Sequence, residues 1–266
     1  MAEEDDVPAS GPVLEEMASN LVDKASSQGS PEVLSRMMKL TQEQRLQNQV
    51  LLARLEERDT EVNYTNKVLQ ALLSPRPDDC LAMLASATAA SVMNIKDADG
   101  ATALHHAVRV GAWQVVDRLL ALNSNLANCM THMHGRPANW SPLMVLIDRS
   151  PSSLPENCHG YLLGRLIHHS TAQTIAARAT SGMTAVHMAA SRGQIQTIKR
   201  LLYGLYAKGG ENEEALAEVR AVLNSPGGQR GSGCLDLALR CNVDLANYLE
   251  YIWGAKPQVS GHFGRR

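Results

Sequence analysis

Two kinds of apolar pattern run along the chain. The first lies between Ser30 and Leu73, where no Gly or Pro follows Pro31. Ser30-Pro31-Glu32 offers an N-cap serine and a proline in the first turn, so one long helix over residues 31–73 is predicted. A seven-residue grid laid on it meets apolar side chains at Leu34, Met37, Leu51, Leu55, Val62, Leu69 and Leu72, and polar ones at Thr41, Gln44, Asn48, Arg58 and Thr65. Coiled-coil seams are mostly apolar throughout, whereas here the polar positions cluster in the middle. The stretch reads as a long amphipathic helix, either folded back as a cap on the rest of the chain or paired with a second copy as a homodimer through residues 31–73. Pro75 and Pro77 stop it.

The second pattern recurs. Trp113, Val116, Leu119 and Leu120 follow the i, i+3, i+6, i+7 spacing of one buried helix face. So do Ile195, Ile198, Leu201 and Leu202, and again Leu245, Tyr248, Leu249 and Ile252. Related segments precede these sets. They are Gly100-Ala101-Thr102-Ala103-Leu104-His105-His106-Ala107-Val108-Arg109-Val110-Gly111, then Gly182-Met183-Thr184-Ala185-Val186-His187-Met188-Ala189-Ala190-Ser191-Arg192-Gly193, and the divergent Gly231-Ser232-Gly233-Cys234-Leu235-Asp236-Leu237-Ala238-Leu239-Arg240. Between the first two lies Trp140-Ser141-Pro142-Leu143-Met144-Val145-Leu146-Ile147. Thr102, Ser141 and Thr184 suit the N-cap of an inner helix, and Pro142 its first turn. His105 and His187 sit three residues on, where a side chain reaches back to the cap. Gly111 and Gly193 suit the left-handed turn that ends such a helix. Each helix pair is apolar on two sides, so only stacking hides it.

These residues resemble the ankyrin repeat family, whose signature runs Gly-x-Thr-Pro-Leu-His-x-Ala-Ala-x-x-Gly. The resemblance covers roughly residues 78 to 255, with about four repeats, two well matched and two degenerate. Ala103 and Ala185 replace the family proline, Met144 replaces the histidine of the second copy, and Gly233 with Asp236 replaces the Thr and His of the fourth. The resemblance implies an all-α ankyrin-repeat solenoid, a helix-turn-helix stack with short hairpin connectors, preceded here by the long amphipathic helix. It also implies a concave partner surface of hairpin tips and inner helices. Carried onto this chain, that surface comprises Asp97, Asp99, His106, Arg109, Asn139, Arg149, Met188, Ser191, Arg192 and Arg240. Arg109, Arg192 and Arg240 would line up as a positive stripe, suited to a protein partner with an acidic or mixed-charge segment.

The spacing from Thr102 to Ser141 is 39 residues, from Ser141 to Thr184 it is 43, and from Thr184 to Gly233 it is 49. An ankyrin unit is about 33 residues, so insertions are expected at 128–137, 149–157 and 209–228, the last with a short helix over 211–223. Asp79 to Ala87 reads as an outer-type helix, and Val92 to Gly100 as the hairpin leading into the first clear repeat. The expected organisation is an acidic disordered tail over 1–30, the helix over 31–77, repeats over 78–256 and a flexible basic tail over 257–266.

Composition narrows the function classes. With 25 Lys+Arg against 27 Asp+Glu, the net charge of −2 gives no basic footprint for nucleic acid. No apolar run reaches the ~18 residues of a membrane span, and five cysteines without a framework fit a reducing compartment, cytoplasmic or nuclear. Cys129, His132 and His134 have ligand types for zinc but lack a second paired motif. No phosphate loop, dinucleotide fingerprint or nucleophile elbow is present. The chain is therefore expected to be a non-catalytic protein-interaction module or scaffold without a cofactor. The alternatives are a structural subunit docking through the helix and insertions, and a zinc-stabilised or metal-dependent protein.

Overall fold

The structure is a computed structural model that describes residues 31–73, 77–131, 139–149, 154, 158–228 and 231–258. The expected tail over 1–30 and most of the 257–266 tail lie outside the described residues, as do 132–138 and most of 150–157. The chain divides into two compact units, residues 1–62 and 63–266. The first helix, α1 (Pro31–Leu73), has the bounds that the pattern predicts.

Within the first unit, α1 departs from the expected amphipathic stripe. Met38, Leu40, Leu46, Val50, Leu51, Leu52, Leu55 and Val62 are all exposed. At about 100° per residue, Leu40, Leu51, Leu55 and Val62 share one face while Met38, Leu46 and Leu52 stand away from it. Apolar residues spaced this unevenly cannot all be hidden by one contact surface.

In the second unit the end of α1 is part of the core. Val68 and Leu72 are buried, and the Tyr64 hydroxyl donates to the Met83 carbonyl at 3.1 Å. α2 (Pro77–Leu84) follows, with Asp78 and Asp79 in its first turn, where the helix dipole favours acids. It buries Cys80 and Leu84. α3 (Ala89–Asn94) is closed by a Thr88/Ser91 capping box, so the hairpin expected from Val92 begins only after Asn94. The Thr88 hydroxyl accepts from the Ser91 amide at 3.2 Å and so starts a helical turn where the pattern predicted extended chain.

Four helix pairs then stack. Inner helices α4 (Ala103–Val110), α6 (Pro142–Asp148), α9 (Ala185–Ser191) and α12 (Cys234–Cys241) pack on one another in chain order. Each is backed by its outer partner, α5 (Trp113–Leu122), α7 (Cys158–His169), α10 (Ile195–Lys208) or α13 (Val243–Trp253). α8 (Ala172–Ala176) leads into the third repeat and α11 (Glu213–Leu223) fills the last insertion. α11 has Asn212 as its N-cap and buries Ala215, Val219 and Leu223, with Leu216 half-buried. Isolated antiparallel bridges, Lys96 with Thr102, Arg178 with Thr184 and Gly227 with Ser232, close the connectors. Gly100, Gly182 and Gly231 turn them at φ of 74°, 78° and 63°, a conformation that L side chains resist.

The outer faces are buried in slightly shifted register. Trp113 is exposed and Val115 buried in α5, with Trp113 edge-on to Tyr161 of α7. In α13 Ile252 and Tyr251 are exposed, and Trp253 with Tyr248 closes the end, the indole N–H donating to the Tyr248 hydroxyl at 3.0 Å. The i, i+3, i+7 grid places a face only to within one residue, and wide aromatic side chains settle the difference at the rim.

Two glycines in neighbouring outer helices separate packing from propensity. A Cβ on Gly204 would overlap Cγ2 of Ile167, whereas one on Gly164 meets nothing within 4 Å. Gly204→Ala is expected to cost about 1–3 kcal/mol through overpacking. Gly164→Ala, in the exposed interior of α7, should instead gain about 0.5–1 kcal/mol. Urea unfolding midpoints of the two variants check both signs.

Candidate partner-binding face

The signature residues lie beneath this face and fix its geometry. In the first repeat, His105 Nδ1 accepts from the Thr102 amide at 3.1 Å and lies 2.9 Å from its hydroxyl. His105 Nε2 donates across to the Trp140 carbonyl of the next connector at 3.0 Å. The third repeat copies this arrangement. His187 Nδ1 lies 2.8 Å from the Thr184 hydroxyl, and Nε2 donates to the Ser225 carbonyl at 2.9 Å. Gly227 is required here, since a Cβ on it would overlap the His187 ring. A carbonyl acceptor fixes each ring as the Nε2–H tautomer, leaving Nδ1 free to accept from the cap. Both rings are fully buried. Burial pushes His105 down to about 4 and lowers His187 as well, against the pull of the carbonyls and helped by nearby arginines.

The degenerate copies satisfy the same backbone groups otherwise. Ser141 accepts from the Met144 amide at 3.3 Å over a fully buried Met144. Without a ring nitrogen, the link to the third repeat passes instead through Gln194 Nε2, which donates to the Ile147 carbonyl at 3.3 Å. In the fourth copy the Asp236 carboxylate accepts from the Gly233 amide at 2.9 Å and from the Gln258 amide at 3.0 Å, tying the C-terminal segment to α12. Gly111 and Gly193 take the expected left-handed turns, at φ of 80° and 65°.

Stacking leaves only the last turn of each inner helix in water. Residues 103–108 of α4 are buried and Arg109 and Val110 exposed; Asp148 is exposed and Arg149 half-buried after α6. Arg192 is exposed after α9, and Leu239, Arg240 and Cys241 are exposed at the end of α12. Two residues expected on the surface are therefore in the interior. Met188 is buried in α9, the inner helix packed between α6 and α12. His106 is buried with its Nε2 2.8 Å from the Asp97 carboxylate, which also accepts from the amides of Asp99 and Ala101. Asp97 thus braces the first hairpin. Asp99 and Ser191 are half-buried, the Ser191 hydroxyl donating to the Met188 carbonyl, and Asn139 is exposed at φ 63°.

The positive stripe is also corrected. Seven residues beyond the four caps lie Arg109, Asp148, Ser191 and Arg240, so an acid interrupts the series. Arg192, one position further, reaches back to pair with Asp148. Counting from Ser141 in the sequence would have revealed Asp148, and the ends of α4 and α12 would have revealed Val110 and Leu239. The face is a cationic rim with one internal ion pair and two exposed aliphatic side chains.

Cys129, half-buried, has its thiol directed at the Asn125 carbonyl, while His132 and His134 lie outside the described residues. Among the described residues no group of three or more His, Cys, Asp or Glu side chains could hold a metal, and no helix is long and apolar enough to cross a membrane.

The ankyrin repeat family model matches residues 99–131 and 181–208, the two stretches that carry the histidine bridges. The chain carries ankyrin repeats. No curated protein matches it. Ankyrin stacks are protein-interaction architectures, and the rim described above is the solvent-facing part of this one.

The buried ankyrin histidines make stability pH-dependent. His105 titrates near 6.5 when unfolded and at about 4 when folded. The unfolded chain binds the extra proton between those values, so stability is fully present above pH 6.5 and is lost as the pH falls towards 4. A shift of that size corresponds to about 3 kcal/mol. Urea titrations at pH 7 and pH 4.5 are expected to show the loss, and His105→Gln should be less stable at pH 7 with a flatter dependence over that window.

Proposed function

We propose that this chain is a non-catalytic interaction module whose ankyrin stack captures a protein partner through an acidic or mixed-charge segment. The observation that carries the reading is the composition of the rim. Among the exposed and half-buried residues at the ends of the inner helices, Arg109, Arg149, Arg192 and Arg240 face a single acid, Asp148. Arginine presents a fork of donors that matches carboxylate geometry. Val110 and Leu239 beside these guanidiniums supply apolar area that an ion pair alone lacks. The rigid bridges beneath keep the rim preorganised, so little ordering entropy is lost on binding.

The ion pair between Arg192 and Asp148 is a selectivity element in this reading. It fixes one guanidinium and masks one charge, and Arg109 and Arg240 stand exposed at the ends of the neighbouring inner helices. A basic partner would meet like charge at both flanks. The long insertions then add contacts to a core recognition set by the rim.

The test is affinity capture with the tagged chain, followed by titration of a recovered partner. Arg109→Glu, Arg149→Glu and Arg240→Glu together should weaken binding about 10- to 100-fold, since each rim charge contributes modestly and mainly to the association rate. The urea midpoint should stay close to wild type because the replaced side chains reach solvent. Affinity unchanged by the triple replacement and by added salt rejects the cationic rim as the recognition surface.

A further inference from the structure

The described part of α1 in the first unit leaves eight large apolar side chains in water. A solitary helix gains little stability from its own hydrogen bonds, and exposed apolar surface of this extent marks an interaction site. Two regularities in the segment select what covers it.

The first is a symmetry about Leu51. Leu40 and Val62 lie eleven residues to either side of it, about three full turns, so all three project from one face together with Leu55. The polar residues of that face obey the same symmetry: Gln44 and Arg58 each lie seven residues from Leu51. The second regularity is charge. Arg36, Lys39 and Arg45 before Leu51 outnumber Glu32 and Glu43, whereas between Leu51 and Val62 Glu56, Glu57, Asp59 and Glu61 outnumber Arg54 and Arg58. The first half is net basic by one charge and the second net acidic by two.

We propose that two copies of this chain pair through α1 in antiparallel orientation, crossing at Leu51. In that arrangement Leu51 meets its own copy, Leu40 packs on Val62 of the other chain, and polar Gln44 faces polar Arg58. The net basic half of each helix lies over the net acidic half of its partner, with Arg45 opposite Glu57 beside one like-charge pair, Glu43 opposite Asp59. A parallel, in-register pair would instead stack like charges along its whole length. The interface is isologous, so a closed dimer forms and the association does not propagate. Each copy also carries a rim, so the dimer doubles the valency of partner capture.

The experiment uses the full chain in a Cys129→Ser, Cys241→Ser background, which removes the thiols that are not buried. Light scattering across micromolar concentrations should give the dimer mass. With a short bis-maleimide, Leu51→Cys should cross-link to itself, whereas Leu40→Cys and Val62→Cys should cross-link only when mixed. Leu51→Glu with Leu55→Glu should weaken dimerisation about a hundredfold or more, four leucines being lost from one interface. At concentrations where both are monomers its circular dichroism melt should match the parent, because both side chains are exposed in the single chain. A monomer mass at every concentration overturns the proposal. So does self-cross-linking of Leu40→Cys, which indicates parallel pairing, or undiminished dimerisation of the glutamate variant.

Discussion

Two buried imidazoles hold the stack in register. The two ring nitrogens of His105 and His187 divide the work, Nδ1 closing the N-terminus of its own inner helix and Nε2 reaching the connector of the next repeat. A neutral imidazole accepts at one edge and donates at the other without carrying charge into the interior. Because a repeat solenoid is only as rigid as its nearest-neighbour interfaces, a bond that joins cap to connector sets both the helix start and the spacing to the next unit. Burial keeps the rings neutral, and neutrality keeps the Nδ1 acceptor available.

The degenerate repeats show what substitutes for that bond. Met144 keeps the volume and loses the nitrogen, and cohesion passes to apolar packing with the Gln194 to Ile147 hydrogen bond beside it. Asp236 keeps an acceptor for the cap and gains a second amide from the C-terminal segment, which suits a terminal position that has no following repeat. Three of the four copies place an acceptor for the cap amide at this position, His105, His187 and Asp236, and the Met144 copy does without one.

The same stacking decides which residues are left for recognition. Close approach of inner helices consumes every side chain up to the last turn, so a partner meets helix ends rather than helix sides. Arg192 spends part of its charge on Asp148 across the repeat boundary, and Asp97 is committed to its own hairpin and to His106. The exposed α1 segment presents the opposite situation, an element with apolar side chains and no interior of its own in the described unit.

The repeat was legible in the sequence because its requirements are local. A cap, a reciprocal side chain three residues later and a left-handed turn at the end each depend on neighbours within one turn, so Thr102, His105, Gly111 and their counterparts declared the inner helices. The short α11 and the bounds of α1 were legible for the same reason. What the residues alone left open was exposure, since one residue of rotation, about 100°, moves a side chain from the rim to the interior. Met188 and His106 were buried, His106 against Asp97 of its own hairpin, and Ile252 and Tyr251 stayed exposed while Trp253 closed the end as the residues suggested. The Arg192 to Asp148 pair joins residues 44 apart. Composition and spacing determined that this chain stacks helices; only the tertiary structure decided which of its charges remain for a partner, because burial belongs to the neighbours and not to the residue.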